Sequence, residues 1–342
     1  MDKPISKIEK IAVNVVTYNR KGLLLECLKS LLKQTYPLNA IYIIDNASTD
    51  GTYELLKKEG YVKETKNNPK TEITEIISIV KMSCNRNNDQ EVKIHYIRML
   101  KNVGSAGGQY EGTKRAYESG FDWVWLMDDD IITDKNALYH LIEAANLLNQ
   151  KNEQFGFLCS KVIDKHGKIT NAQAIDLDYE KYQYCQWSKF LEYGLVRIKL
   201  STFVSMLISR NIISVIGLPK KEFFIWGEDT EYTLRISRKY FCYLVGKSNV
   251  LHKRTITSFP SIFAENDYNR IKNFYFMYRN NSYIHRKYYN YGIIDSLIFY
   301  CKLFISTLVN VFRILFGNTN YKFLKIKIIL RGRWDSMFFD PL

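Results

Sequence analysis

The chain has 342 residues, 46% of them apolar and 25% charged, and a net charge of +14. Such a length and composition support a large buried core plus a smaller appendage and exclude wholesale disorder. The surplus charge calls for an anionic partner, with nucleic acid, anionic lipid and a phosphate-bearing substrate as the candidates. The opening residues, MDKPISKIEKIAVNVV, place no long apolar stretch behind a basic end, so no signal peptide is expected. Six cysteines (Cys27, Cys84, Cys159, Cys185, Cys242, Cys301) form no CxxC pair, which argues against zinc and suits reduced thiols in the cytosol.

In chain order, Ile11 to Thr17 is a β-branched run, and Leu23 to Leu32 has helical periodicity. Ala40 to Ile44 predicts a second buried strand, ended by the turn formers Asp45 to Gly51. This order implies parallel strands with right-handed crossovers, whose sites lie beyond the carboxyl ends. Residues 62–91 interrupt the pattern and predict a surface insertion with one short apolar element, Ile76 to Val80. A strand follows at Val92 to Arg98, then the small-residue turn Asn102 to Gly108, a helix to about Ser119 and a strand at Trp123 to Met127. Beyond it come a helix near Asn136 to Asn149, strands at Phe155 to Ile163 and Thr202 to Ile208, and a helix from Glu228 to about Tyr240.

Asp128-Asp129-Asp130 follows directly on an apolar strand. Adjacent carboxylates repel, and a divalent cation relieves that cost through hard oxygen ligands. An extended backbone puts Asp128 and Asp130 on one side and Asp129 on the other. The competing reading is helix capping, with Thr133 and Asp134 opening the next helix. The glycines of Asn102 to Gly108 permit close backbone approach at a helix N-terminus, yet the segment has neither a Walker sequence nor a clean GxGxxG. Trp226-Gly227-Glu228-Asp229 offers a general base beside an aromatic platform, or merely acidic residues complementing a helix dipole. His252 ends a strand and is a candidate third metal ligand, or simply a polar strand end.

Five segments occur in order: Thr17-Tyr18-Asn19-Arg20, Asp45 to Ser48, Asn102 to Gly108, Trp125 to Asp130 and Trp226 to Tyr232. Together they resemble the family-2 inverting glycosyltransferases of the GT-A fold, and most closely the galactofuranosyltransferase-like and rhamnosyltransferase-like branch. The resemblance implies an α/β fold, a Rossmann-like mixed sheet flanked by helices, over residues 1–260. It implies a nucleotide-sugar donor held by Thr17, Tyr18, Arg20, Asp45, Asn102, Gly107, Asp128 and Asp129. Asp128, Asp130 and His252 would bind Mn²⁺ or Mg²⁺, and Asp229 would be the base, with Glu228 positioning it and Trp226 meeting the acceptor sugar. UDP-galactofuranose is the expected donor, and dTDP-rhamnose the alternative. A non-catalytic sugar-binding or scaffold protein on the same fold is the rival class. No nucleic-acid module is recognisable, so nucleic acid is not an expected partner.

Residues 261–342 predict a helical, basic, membrane-proximal region. Within Ile293 to Phe316, Asp295, Lys302, Ser306, Asn310 and Arg313 fall on one narrow stripe at 100° per residue, leaving a broad apolar face. An interfacial helix on an anionic membrane surface fits better than a spanning one, with Lys322, Lys325, Lys327, Arg331 and Arg333 facing lipid. The alternative is packing on the catalytic part or in a homo-oligomer. The expected location is the cytoplasmic side of the cell membrane, peripheral, with a glycan acceptor that is lipid-linked.

Overall fold

The computed structural model describes residues 9–63, 74–82, 90–171, 173–178, 184–254, 260–289 and 292–342. The first half alternates strand and helix. It runs β1 (Ile11–Thr17), α1 (Lys21–Leu31), β2 (Ala40–Asp45), α2 (Thr52–Lys58), β3 (Thr74–Met82), β4 (Gln90–Arg98), α3 (Gly104–Glu118), β5 (Trp123–Asp128), β6 (Ile131–Thr133) and α4 (Ala137–Gln150). The second half holds β7 (Phe155–Ile163), β8 (Ala174–Ile175), β9 (Leu195–Leu200), β10 (Ser205–Ser209), α5 (Arg210–Ile216), α6 (Glu228–Ser237) and β11 (Phe241–His252). Three helices close it: α7 (Tyr268–Tyr288), α8 (Ile293–Phe316) and α9 (Lys322–Asp335).

Among the described residues eleven strands form one mixed sheet, ordered β3-β4-β2-β1-β5-β10-β7-β11-β9-β8, with β6 paired to β11. The segment β4-β2-β1-β5 is parallel, as the alternation of strand and helix requires. Residues of β1 divide between two cores. Ile11, Val13 and Val15 pack with Leu24, Leu28 and Leu31 of α1. Ala12 and Val16 pack on the other face with Ala116 of α3 and Tyr232 and Ile236 of α6. With both faces covered, the strand reads as an unbroken apolar run instead of an alternating one.

The region 62–91 departs from the expectation. Its apolar element is a nine-residue edge strand, β3, paired antiparallel to β4 along its length, with Ile76 and Ser78 facing inward and Ile77 and Ile79 exposed. Residues 64–73 and 83–89 lie outside the described residues. The strand expected at Thr202 begins only at Ser205, because Phe203 and Val204 turn into the core ahead of it. The five described cysteines are unpaired thiols.

The C-terminal helices pack on the sheet-bearing part. Helix α7 begins where the Asp267 side chain accepts a hydrogen bond from Arg270 N–H at 2.7 Å. Its far end joins Phe223, Leu234 and Ala106 through Tyr283, Ile284 and Tyr288. Helix α8 is different. Only Phe299 and Ile314 are buried along its 24 residues, and it is long and apolar enough to cross a membrane.

Candidate active site

Strand register gathers the polar residues at one edge. Thr17 stands beside Asp45, Asp45 beside Arg98, and Val16 beside Asp128, so the carboxyl ends of β1, β2, β4 and β5 lie in line. This is the edge at which parallel α/β sheets bind ligands.

Five of the expected residues join in one polar chain. Thr17 Oγ1 donates to Asp129 Oδ2 at 2.7 Å, and Arg20 Nη1 reaches Asp129 Oδ1 at 3.3 Å and Asp130 Oδ2 at 3.1 Å. His252 Nε2 lies 3.1 Å from Asp130 Oδ1, while its Nδ1 meets Asn171 Oδ1 at 3.0 Å. The pairing of β6 with β11 explains this meeting, since it sets His252 opposite Ile131, the residue after Asp130. The backbone is not extended through the triplet, as the sequence suggested. β5 ends at Asp128 and Asp129-Asp130 form a turn, so simple alternation does not set their directions. Among the described residues no three His, Cys, Asp or Glu side chains come close enough to hold one ion. Asp130 and His252 meet, but Asp128 does not complete a trio with them, and Arg20 takes the second oxygen of Asp130.

Asp128 belongs to a second acidic group with Glu228 and Asp229. Burial pushes Asp128 up to about 8, with repulsion from Asp130 and Asp129 and a smaller contribution from Asp229. Burial likewise raises Glu228 to about 8, with Asp229 next and Asp128 adding to it. Asp229 is raised by burial against the hydrogen bonds of Thr230, whose N–H donates to Asp229 Oδ1 at 2.6 Å. Oε2 of Glu228 has no hydrogen-bond partner among the described residues. Burial also lifts Asp129 to about 6, opposed by Arg20 and Thr17. Burial works against ionised Asp130 too, yet His252 and Arg20 hold it below the usual carboxylate range.

The other expected residues take different places. Asp45 is fully buried, and Ser48 N–H (2.8 Å), Tyr96 O–H (2.5 Å) and Arg98 Nη1 (3.0 Å) all donate to its oxygens. Tyr18 and Arg20 are exposed. Asn102 Oδ1 accepts from Gly104 N–H at 2.8 Å, fixing the turn into α3. Gly107 is buried, and the space a Cβ would need is filled by Val103, so this glycine serves packing and not the approach of a ligand. Gly104 has φ +76° and would put a Cβ 2.0 Å from the Phe224 carbonyl oxygen. The turn thus presses on the loop that leads to Asp229. In that loop Phe224 and Trp226, both at φ +63°, adopt a left-handed backbone that non-glycine residues resist. Trp226 is half-buried, edge-on to Phe274 of α7 with centroids 5.1 Å apart.

Three contributors escaped the sequence reading. Arg98 and Tyr96 neutralise and anchor Asp45; the signal was their position at the end of a strand beside β2. Asn280, buried in α7, donates from Nδ2 to the carbonyls of Phe223 (2.9 Å), Ile225 (3.1 Å) and Trp226 (2.8 Å). No local pattern announces a residue 50 positions downstream that holds this loop.

Residues 12–70 match the family described as Glycosyl transferase family 2, and residues 62–266 match Glycosyltransferase like family 2. A poly-beta-1,6-N-acetyl-D-glucosamine synthase of Staphylococcus aureus is 27% identical over 142 residues, 42% of this chain and 27% of that protein. A hyaluronan synthase of Streptococcus pyogenes is 30% identical over 161 residues, 44% of this chain and 32% of that protein. The match thus spans about a third or less of either relative's length. Among solved structures, GalNAc-T7 with UDP, GalNAc and Mn²⁺ aligns at a TM-score of 0.52 and 15% identity, covering 81% of this chain and 51% of that one. With a family match over more than half of its length and a mixed sheet of that architecture, the chain belongs to glycosyltransferase-like family 2 and has the GT-A fold.

Proposed function

We propose that the chain is an inverting glycosyltransferase that moves a sugar from a nucleotide-sugar donor onto a lipid-linked glycan acceptor. The observation that carries this is the acidic group of Asp128, Glu228 and Asp229, with Glu228 buried and both aspartates half-buried, at the carboxyl edge of the parallel strands. Three carboxylates held at raised proton affinity have little stabilising value by themselves. In a transferase Asp229 takes the proton of the acceptor hydroxyl as its oxygen attacks the anomeric carbon from the side opposite the leaving nucleotide. Glu228, at about 8, keeps its proton at neutral pH and orients the acceptor or Asp229. Trp226 offers its exposed part to the acceptor sugar.

On the donor side, Tyr18, Arg20 and Asn102 are accessible to a nucleotide, while Thr17, Asp45, Asp129 and Gly107 hold their surroundings in place. By type, carboxylate and imidazole donors suit Mn²⁺ or Mg²⁺, but Asp130 and His252 meet each other directly at 3.1 Å and Asp128 stands apart, so the three must rearrange to share an ion. Asp128, Asp130 and His252 would hold the cation, which when bound neutralises the diphosphate leaving group. The solved neighbour carrying UDP and Mn²⁺ supports the same reading.

UDP-galactofuranose is the first donor to test, on the motif resemblance. UDP-N-acetylglucosamine is the second, because a relative is named for a polymer of that sugar. dTDP-rhamnose is the third. The exposed apolar face of α8 favours work at the cytoplasmic surface of a membrane, with α8 lying in the interface. Calorimetric titration of UDP and dTDP, with Mn²⁺ and with EDTA, tests the site beside an Asp130→Ala variant. UDP binding that needs both metal and Asp130 is expected. Failure of folded protein to bind either nucleotide would leave a scaffold role ahead.

A further inference from the structure

A cleft of about 340 Å³ lies between α7 and α9, lined by Lys272, Tyr275, Leu324, Lys327, Ile328 and Arg331. Helical spacing makes the lining two facing stripes. Lys272 and Tyr275 stand three apart on α7, and Leu324, Lys327, Ile328 and Arg331 follow the three-and-four pattern along α9. Half of the lining is cationic and none of it is acidic. The nearest acidic partner is Asp335, 3.5 Å from Arg331 Nε, and its Oδ2 also accepts the Tyr275 hydroxyl at 2.7 Å. Lys272 rests 4.1 Å over the ring of Tyr268. The cleft therefore joins apolar side chains to three cations that share one nearby carboxylate, Asp335.

Its surroundings indicate what it meets. Phe323, Leu330 and Trp334 fall on the adjoining stripe of α9 and are 88%, 49% and 62% exposed. The same helix packs on α8, and Ile314 of α8 shares a buried cluster with Ile328 and Ile329 of α9 and Ile271 and Phe274 of α7. Residues 261–342 carry twelve Lys and Arg against five Asp and Glu, so this end of the chain is a positive, greasy surface. A soluble phosphate compound gains nothing from exposed aromatic and aliphatic side chains beside its site. An amphiphile uses both, with its phosphate between the cations and its hydrocarbon beside the aromatic residues.

We propose that this cleft holds the phosphate headgroup of a membrane lipid. The proposal rests on α8 lying at the membrane surface and names a lipid contact distinct from the transferase site.

The test is binding of the full chain to phosphatidylcholine vesicles with and without phosphatidic acid, followed by co-sedimentation. Wild-type protein is expected to bind the phosphatidic acid vesicles at least about tenfold more tightly. Lys327→Gln with Arg331→Gln should remove most of that preference. Lys165→Gln with Lys239→Gln, which deletes equal charge from exposed positions away from α7, α8 and α9, should keep it. Both pairs should unfold at the wild-type temperature. Equal losses from the two pairs would replace the cleft by diffuse charge, and retained preference in the cleft pair would overturn it while leaving α8 on the membrane. Absence of vesicle binding by wild type would reject the membrane reading and this site together. Inorganic phosphate, titrated alone, is expected to bind far more weakly than the vesicles. Phosphate binding of equal strength would make the ligand a soluble phosphate and refute the proposal.

Discussion

Arg98 and Asp45 stand opposite each other on β4 and β2, and the carboxylate is fully buried while the guanidinium is nearly so. Such a pair is costly to break because the remaining charge keeps no adequate partner. Arg98→Met is expected to cost about 3 kcal/mol in urea denaturation, and adding Asp45→Asn should recover part of it. An unchanged denaturation midpoint would show that Tyr96 and Ser48 alone satisfy the carboxylate. Asp229 makes the opposite kind of prediction. Its partner is its own neighbour Thr230, so Asp229→Asn should leave stability and UDP binding near wild type. Transfer should fall by roughly a thousandfold, within the usual range for losing a general base. Turnover that survives in Asp229→Asn would remove this residue from the mechanism.

The loop from Phe223 to Gly227 and the helices around it act as one element. Its left-handed backbone at Phe224 and Trp226 needs outside support, and Asn280 of α7 supplies hydrogen bonds to three of its carbonyls. Asn280→Leu removes the side-chain donor to Ile225 and Trp226, while Phe223 keeps bonds from Ile225 N–H and Arg279. It should destabilise the protein by about 1–3 kcal/mol and reduce turnover more than donor binding. Gly104→Ala attacks the same loop from the other side. The added methyl would meet the Phe224 carbonyl, and φ +76° already disfavours alanine. We expect both a lower unfolding temperature and weaker transfer from Gly104→Ala. Normal activity would mean that the loop moves freely of α3.

For the whole molecule the decisive feature is the mismatch between a well-packed sheet and an uncovered α8. Residues of α8 that face protein are spaced three or four apart: Phe299, Leu303, Thr307, Asn310 and Ile314. Phe304, Leu308 and Phe312 point away and are 64%, 54% and 62% exposed. Phe304→Glu with Phe312→Glu should shift the protein from vesicles to the supernatant, while folding stability changes by no more than about 0.5 kcal/mol. Unaltered partition would assign that face to another copy of the chain or to no partner at all.

Most strands and helices of the parallel half, though not α2, were legible in the residues alone, because unbroken β-branched runs bounded by turn formers mark buried strands and amphipathic helices carry their own period. The sequence also marked Thr17, Asp128 to Asp130, Glu228, Asp229 and His252, since residues at strand ends and helix starts are the ones a parallel sheet brings together. Tertiary structure decided the rest. The turn at Asp129-Asp130 and the pairing of β6 with β11 set which carboxylate meets His252, and a three-residue strand leaves no periodicity to read. Residues 74–82 became an edge strand only through their ladder with β4. The hold of Asn280 on the loop from Phe223 to Gly227 and the cleft between α7 and α9 depend on residues far apart in the chain. Contacts of that kind arise from packing, and no local pattern encodes them.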